Sequence, residues 1–206
     1  MTAKEFWMEF ENYEETLRFN MDLTEMERDD ISHYYLLLLL SYYHPELELF
    51  LGYDKNSDTE KYKLIISCGG KRDLFMYVNT LVEAAPALSQ WEIIAFKQAQ
   101  FKVDAELLTH PFDFPDYSIR PKDIRFAVTE WYPEEGVFDL LLLLPLNLKK
   151  FSQDWLENSV SIIFQELWGE RFVGEKINAL FFTYHSSSEY DFLELHLLET
   201  CLNSFE

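Results

Sequence analysis

Residues whose types and spacing could do chemistry are few in this chain. The best placed are Gly69-Gly70-Lys71-Arg72, two glycines and two cations between an apolar run and a helical pattern. The first amides of a helix point outward without partners, so flanking cations there can hold an anion. The local string GGKRD matches neither GxGxxG nor GxxxxGK[ST], and the simpler reading is a strand-to-helix turn with two solvated cations. A second pair, Glu170-Arg171, follows Trp168-Gly169 where a helical pattern closes. Projecting from a fixed point beside a sheet, it could recognise an anion or an amide. Its plainer reading is a helix C-cap with an exposed ion pair, worth only ~0–1 kcal/mol.

Other chemistry finds less support. His33, His44, His110, His185 and His196 lack a second ligand at HExxH or CxxC spacing. His44-Pro45-Glu46, and His185 with Glu189, come nearest. Ser67-Cys68-Gly69 is not GxSxG, and Ser186-Ser187-Ser188 reads as the loop before a last helix. Carboxylates are too abundant for an acid–base pair to stand out. The sequence therefore names no catalytic residue, no metal ligand set and no cofactor.

Charge is the strongest global signal. Thirty-seven acidic against 17 basic residues leave a formal charge of −20. Such a surface repels DNA, RNA and anionic lipid, all of which need cationic footprints. It suits a basic protein partner, or it simply keeps the chain soluble. Residues 1 to 35 hold ten acidic side chains and three basic ones. The only local relief is Lys55, Lys61, Lys63, Lys71 and Arg72. Two cysteines, Cys68 and Cys201, fit a reducing cytoplasm better than a disulfide framework. The glutamate-rich start has the wrong sign for a secretory leader. Tyr34 to Tyr43 carries five consecutive leucines but runs ten residues, whereas a membrane span takes roughly 20.

The elements that would position these residues follow from periodicity. Residues 1–45 read as helices, with Phe6, Phe10, Tyr13 and Leu17 on one face. Thr24 with Glu27 forms a capping-box pattern for a second helix, whose leucine run predicts deep burial. Residues 46–100 read as a ββαβ block. A strand with Leu47, Leu49 and Leu51 on one side is followed by the polar loop 54–61 and a strand from Lys63 to Cys68. The Gly-Gly turn then leads to a helix carrying Leu74, Phe75, Val78, Leu81 and Val82, stopped at Pro86. A strand from Trp91 to Phe96 closes the block, parallel to its predecessor. Residues 101–122, with three prolines and Phe112, Phe114 and Tyr117, form an irregular connection expected to lie across the sheet.

A second ββαβ block spans 123–185. Its hairpin turns at Pro133-Glu134-Glu135-Gly136, and its helix starts at Ser152 and ends at Gly169. Residues 186–206 read as a terminal helix with Phe192, Leu195, Leu198 and Leu202 on its apolar face. These elements predict one α+β domain over 1–206, with a mixed sheet of about six strands and helices on one face.

The stretches LIISCGGKRDLFMYVNTLVEAAP and WEIIAFKQ, followed later by FQELWGERFVGEKI, resemble an uncharacterised family of small bacterial cytosolic proteins. The shared pattern is strand, Gly turn, helix, LVxxAP, Trp-led strand, and a later helix ending in an LGE-type signature. Here that signature reads Leu167-Trp168-Gly169-Glu170. The resemblance covers roughly the last three quarters of the chain and implies a cytosolic α+β fold. It implies no activity and no catalytic residues. Two functions stay open: an acidic inhibitor- or immunity-type module that binds a basic protein, and a small-ligand binder or enzyme with an anion site at Gly69-Gly70-Lys71-Arg72.

Overall fold

The structure, a computed structural model, describes residues 1–23, 31–53, 61–100, 103–115 and 117–205. The Thr24–Glu27 capping pattern and most of the 54–61 loop lie outside these residues. The protein is α+β, and its backbone gathers into two compact units, Met1–Lys97 and Gln98–Glu206.

The first unit begins with helix α1, Ala3–Asp22. Thr2 caps it by accepting from the Glu5 amide, and the Glu5 carboxylate answers the Thr2 amide. Phe6, Phe10 and Leu17 are buried along the face that the spacing predicts, with Tyr13 half-buried, and Trp7 is buried beside them. Helix α2, Ile31–Tyr43, runs back alongside it. Strands β1 (Glu48–Tyr53) and β2 (Tyr62–Ser67) pair antiparallel, and β3 (Trp91–Ala95) joins β2 in parallel after helix α3, Phe75–Glu83. A short 3-10 turn, Arg72–Leu74, leads into α3. One core cluster joins the helices to the sheet. In it the Trp7 indole donates to the Leu81 carbonyl at 2.7 Å, and Phe10 meets Trp91 edge-on at 5.2 Å.

In the second unit β4 (Phe112–Phe114) and β5 (Tyr117–Ile119) form a small hairpin. Strands β6 (Arg125–Tyr132) and β7 (Val137–Leu143) pair antiparallel across a turn where Gly136 takes φ 68°. Helix α4, Gln153–Trp168, starts at the Ser152 cap, and helix α5, Glu170–Lys176, follows directly. Strand β8, Ile177–Thr183, then returns parallel to β7. Strand β9 (Leu193–Glu194) pairs with the other edge of β6 before helix α6, Leu198–Asn203. Leu156, Val160, Ile163 and Phe164 of α4 share a core with Leu140 and Leu142 of β7.

Four expectations change. The single sheet of about six strands is instead divided into sheets of three, two and four strands. Each block builds its own layered core, so no sheet has to span both. Helix α2 is not deeply buried: Leu36, Leu39 and Leu40 are, whereas Ile31, Tyr34, Leu37 and Tyr42 are exposed. Its apolar composition does not supply a second layer to cover its outer side. The terminal segment is not one helix, because the free edge of β6 pairs with Leu193 and Glu194 first. Leu195, Leu198 and Leu202 still bury on the expected side. The 101–122 connection contains the β4–β5 hairpin, whose Phe114 and Tyr117 meet Trp155 and Phe151.

Candidate functional site

Gly69 and Gly70 sit at the carboxyl end of β2, with φ values of 65° and 82° that glycine adopts without a Cβ penalty. The turn uses its own polar groups. The Gly69 amide donates to Ser67 Oγ at 3.2 Å, and the Lys71 amide donates to the Cys68 carbonyl at 3.3 Å. Cys68 Sγ in turn donates to the Lys71 carbonyl at 3.4 Å. Lys71 Nζ stands 2.7 Å from Glu46 Oε2. That bond holds the Glu46 carboxyl below its ordinary range and raises the Lys71 ammonium. Arg72 is exposed at the start of the 3-10 turn. An anion arriving here would have to draw Lys71 away from Glu46.

Beside this turn, Phe96 takes φ 66°, a conformation that side chains with a Cβ rarely hold. Its amide donates to the Ile66 carbonyl at 2.8 Å, and its buried ring packs on Phe75 at 4.6 Å. These contacts offset a backbone strain of about 1–3 kcal/mol. The next residue, Lys97, lies 3.8 Å from Glu48 and over the Phe50 ring. Both lysines at this end of the sheet therefore face carboxylates of their own unit.

Glu170 and Arg171 belong to the second unit and do not pair with each other. Gly169, at φ 82° and ψ 149°, ends α4 and serves as the N-cap of α5. Glu170 consequently starts a new helix and is fully buried. Arg171 turns outward and bonds Glu175 at 2.7 Å, one helical turn on.

A third constellation escapes motif reading. Asp139 lies inside β7, the one acid in VFDLLLL, and is buried. Its Oδ1 accepts from Asn178 Nδ2 at 2.7 Å, its Oδ2 from the Tyr132 hydroxyl at 3.0 Å, and its carbonyl from Thr129 Oγ1 at 3.1 Å. The register breaks on both neighbouring strands at this height. Thr129 has no partner between Val128 and Glu130, and Asn178 has none between Ile177 and Ala179. Each bulge thus re-aims a side chain toward Asp139. The bond to Asp139, with burial and Glu130 adding to it, pushes the Tyr132 phenol up to about 12. The only sequence signal was a carboxylate interrupting an otherwise apolar strand.

Among the described residues no group of three or more His, Cys, Asp or Glu side chains is placed to hold a metal ion. Cys68 and Cys201 are unbridged, and burial raises the Cys201 thiol. Nor is any described helix long and apolar enough to cross a membrane.

Fold and site together define an α+β protein in which Lys71 is held by Glu46, Arg171 by Glu175, and Asp139 by Asn178 and Tyr132. No protein-family model, no curated protein and no solved structure matches the chain.

Proposed function

We propose that this is a cytoplasmic acidic module that binds a basic protein, in the manner of an inhibitor or immunity protein. The observation that carries the reading is how its charges are distributed. Against a formal −20, four cations already have carboxylate partners: Arg18 is held by Glu14, Lys71 by Glu46, Arg120 by Asp123 and Arg171 by Glu175. The net field offered to a partner is negative, and such a field speeds encounter with a basic surface and weakens with salt. Nucleic acid and anionic lipid are disfavoured by the same field. The anion site at Gly69-Gly70-Lys71-Arg72 ranks behind, because Lys71 already has Glu46 and the turn's Gly69 and Lys71 amides already have acceptors.

Immobilised protein exposed to native lysate at low and then moderate salt tests the reading. Recovery of one basic protein in near-equal amount, released as salt rises, supports it. A blank at both salts removes its basis.

A further inference from the structure

Helix α2 carries a second, unburied pattern. Ile31, Tyr34 and Tyr42 are 73%, 67% and 63% exposed. At 100° per residue they fall with half-buried Leu38 on one outward stripe, at i, i+3, i+7 and i+11. That is the spacing by which one helix offers anchors to another. Single exposed apolar residues are ordinary, but a stripe running the length of a 13-residue helix is not.

The groups beside the stripe come from α1 and from Met1. Tyr13 bonds Ser32, the Tyr35 hydroxyl lies 3.5 Å from Glu9, and the Met1 ammonium bonds the Tyr42 carbonyl. Residue numbers fall along α1 as they rise along α2, so the helices are antiparallel neighbours and Glu9 stands at their boundary. Glu5, one turn before Glu9, is exposed on the same edge of α1, whereas Glu11 and Glu15 lie about 200° and about 240° round the helix from Glu9, on its other side. Helix α2 itself has neither acid nor Lys or Arg.

We infer that the outward stripe of α2, with Glu5 and Glu9 of α1 alongside, docks an amphipathic basic helix of a partner protein. This rests on the acidic-module reading and gives it a location. The apolar anchors supply contact area, and the α1 acids select an occupant that is apolar along its centre and lysine- or arginine-lined on one flank. Anionic membranes and nucleic acids are repelled from the same face. A second copy would bring −20 against −20.

The test uses the full chain and two fluorescent peptides of about 18 residues, long enough at 1.5 Å per residue to span α2. One is a Leu/Lys amphipathic helix; the other carries the same charge with Ser replacing Leu. In anisotropy titrations the Leu/Lys peptide binds at least about tenfold tighter, and its affinity falls between low and about 0.5 M salt. The double variant Tyr34→Ser/Tyr42→Ser loses at least about tenfold, and Glu9→Gln weakens binding with a shallower salt dependence. A control double variant at exposed residues of the second unit, Ile162→Ser/Phe181→Ser, binds as the parent does. If Tyr34→Ser/Tyr42→Ser binds as tightly as the parent, the α2 site is overturned while the acidic-module reading stands. If the parent binds neither peptide at low salt, both fall. Self-association in sedimentation, abolished by Tyr34→Ser/Tyr42→Ser, would assign the stripe to a second copy and overturn the proposal.

Discussion

Replacing Asp139 with Ala tests whether the double bulge is built around its carboxylate. The side chain is 7% exposed and accepts from Asn178 at 2.7 Å and from Tyr132 at 3.0 Å. A net hydrogen bond to a charged group contributes about 1.5–3 kcal/mol. Asn178 is itself on the exposed side, so its amide regains water when the carboxylate goes. The Asn178 bond therefore lies at the lower end, and the expected loss is about 1.5–2 kcal/mol. Urea unfolding followed by tryptophan fluorescence reads it, with separate midpoints fitted if the two units part. Asn178→Ala in the same background completes a double-mutant cycle, and a coupling of about 1 kcal/mol is expected for contacting partners. Asp139→Asn should lose less than Asp139→Ala. Its amide oxygen can still face Asn178 while its nitrogen donates to the Tyr132 oxygen. Removal of the carboxylate should also bring the Tyr132 titration down from about 12, since that bond is the first cause of its shift. A stability change under about 0.5 kcal/mol with no coupling to Asn178 would refute the reasoning, since that is the range of an ordinary surface substitution.

Three further outcomes follow from the geometry. Gly169→Ala forces a Cβ onto φ 82°, ψ 149° and should cost about 1–3 kcal/mol in urea unfolding. Trp7→Ala removes a 2%-exposed indole and its bond to the Leu81 carbonyl, for which a thermal or urea curve should show a loss of about 3–5 kcal/mol. Alkaline titration should show late-releasing phenols, because Tyr62 and Tyr132 are both raised from 10 to about 12. For Tyr62 burial is the main cause and the Asp22 bond comes next. The unfolded chain releases these protons near 10 and the folded chain near 12, so their stabilisation is complete below pH 10 and is lost as pH rises toward 12. A urea midpoint that holds level from pH 10 to 12 would contradict this.

Local periodicity made much of this fold legible. The α1 face of Phe6, Phe10 and Leu17, the Ser152 and Gly169 caps of α4, and the parallel return of β3 after α3 all follow from sequence. What escaped depends on neighbours distant in the chain. Tyr34 to Tyr43 is apolar all round, and nothing in its composition says which side another element will cover. Residues 189–194 carry part of a helical pattern, but Leu193 and Glu194 meet the unpaired edge of β6, whose ladder bonds outweigh weak helix propensity. Gly169 was readable as a stop, yet not that the chain would begin α5 at once and bury Glu170. The turn at Gly69-Gly70 was visible because glycines punctuate; that Lys71 would find Glu46, 25 residues earlier, was not. The role of Asp139 could not be read from sequence, since bulges exist only relative to a partner strand.

The two units follow one strand plan, an antiparallel hairpin and then a helical crossover to a parallel strand, as β1-β2-β3 and as β7 between β6 and β8. The hydrophobic pattern alone explains what they share. Their departures from the plan need another reason. In the first unit β2 keeps continuous register with both neighbours, whereas the neighbours of β7 each leave one residue out of the ladder beside Asp139, Thr129 on β6 and Asn178 on β8. Burying a carboxylate and breaking two registers does not strengthen a sheet that Leu140 and Leu142 already anchor. In the first unit the departure is a helix that leaves Ile31, Tyr34 and Tyr42 in water beside Glu9 of α1. Local conflicts with an otherwise consistent fold are expected where function or specificity is built. By that criterion the α2 stripe and the Asp139 bulges rank above the glycine turn, whose conformation follows from its two glycines and whose Lys71 already bonds Glu46.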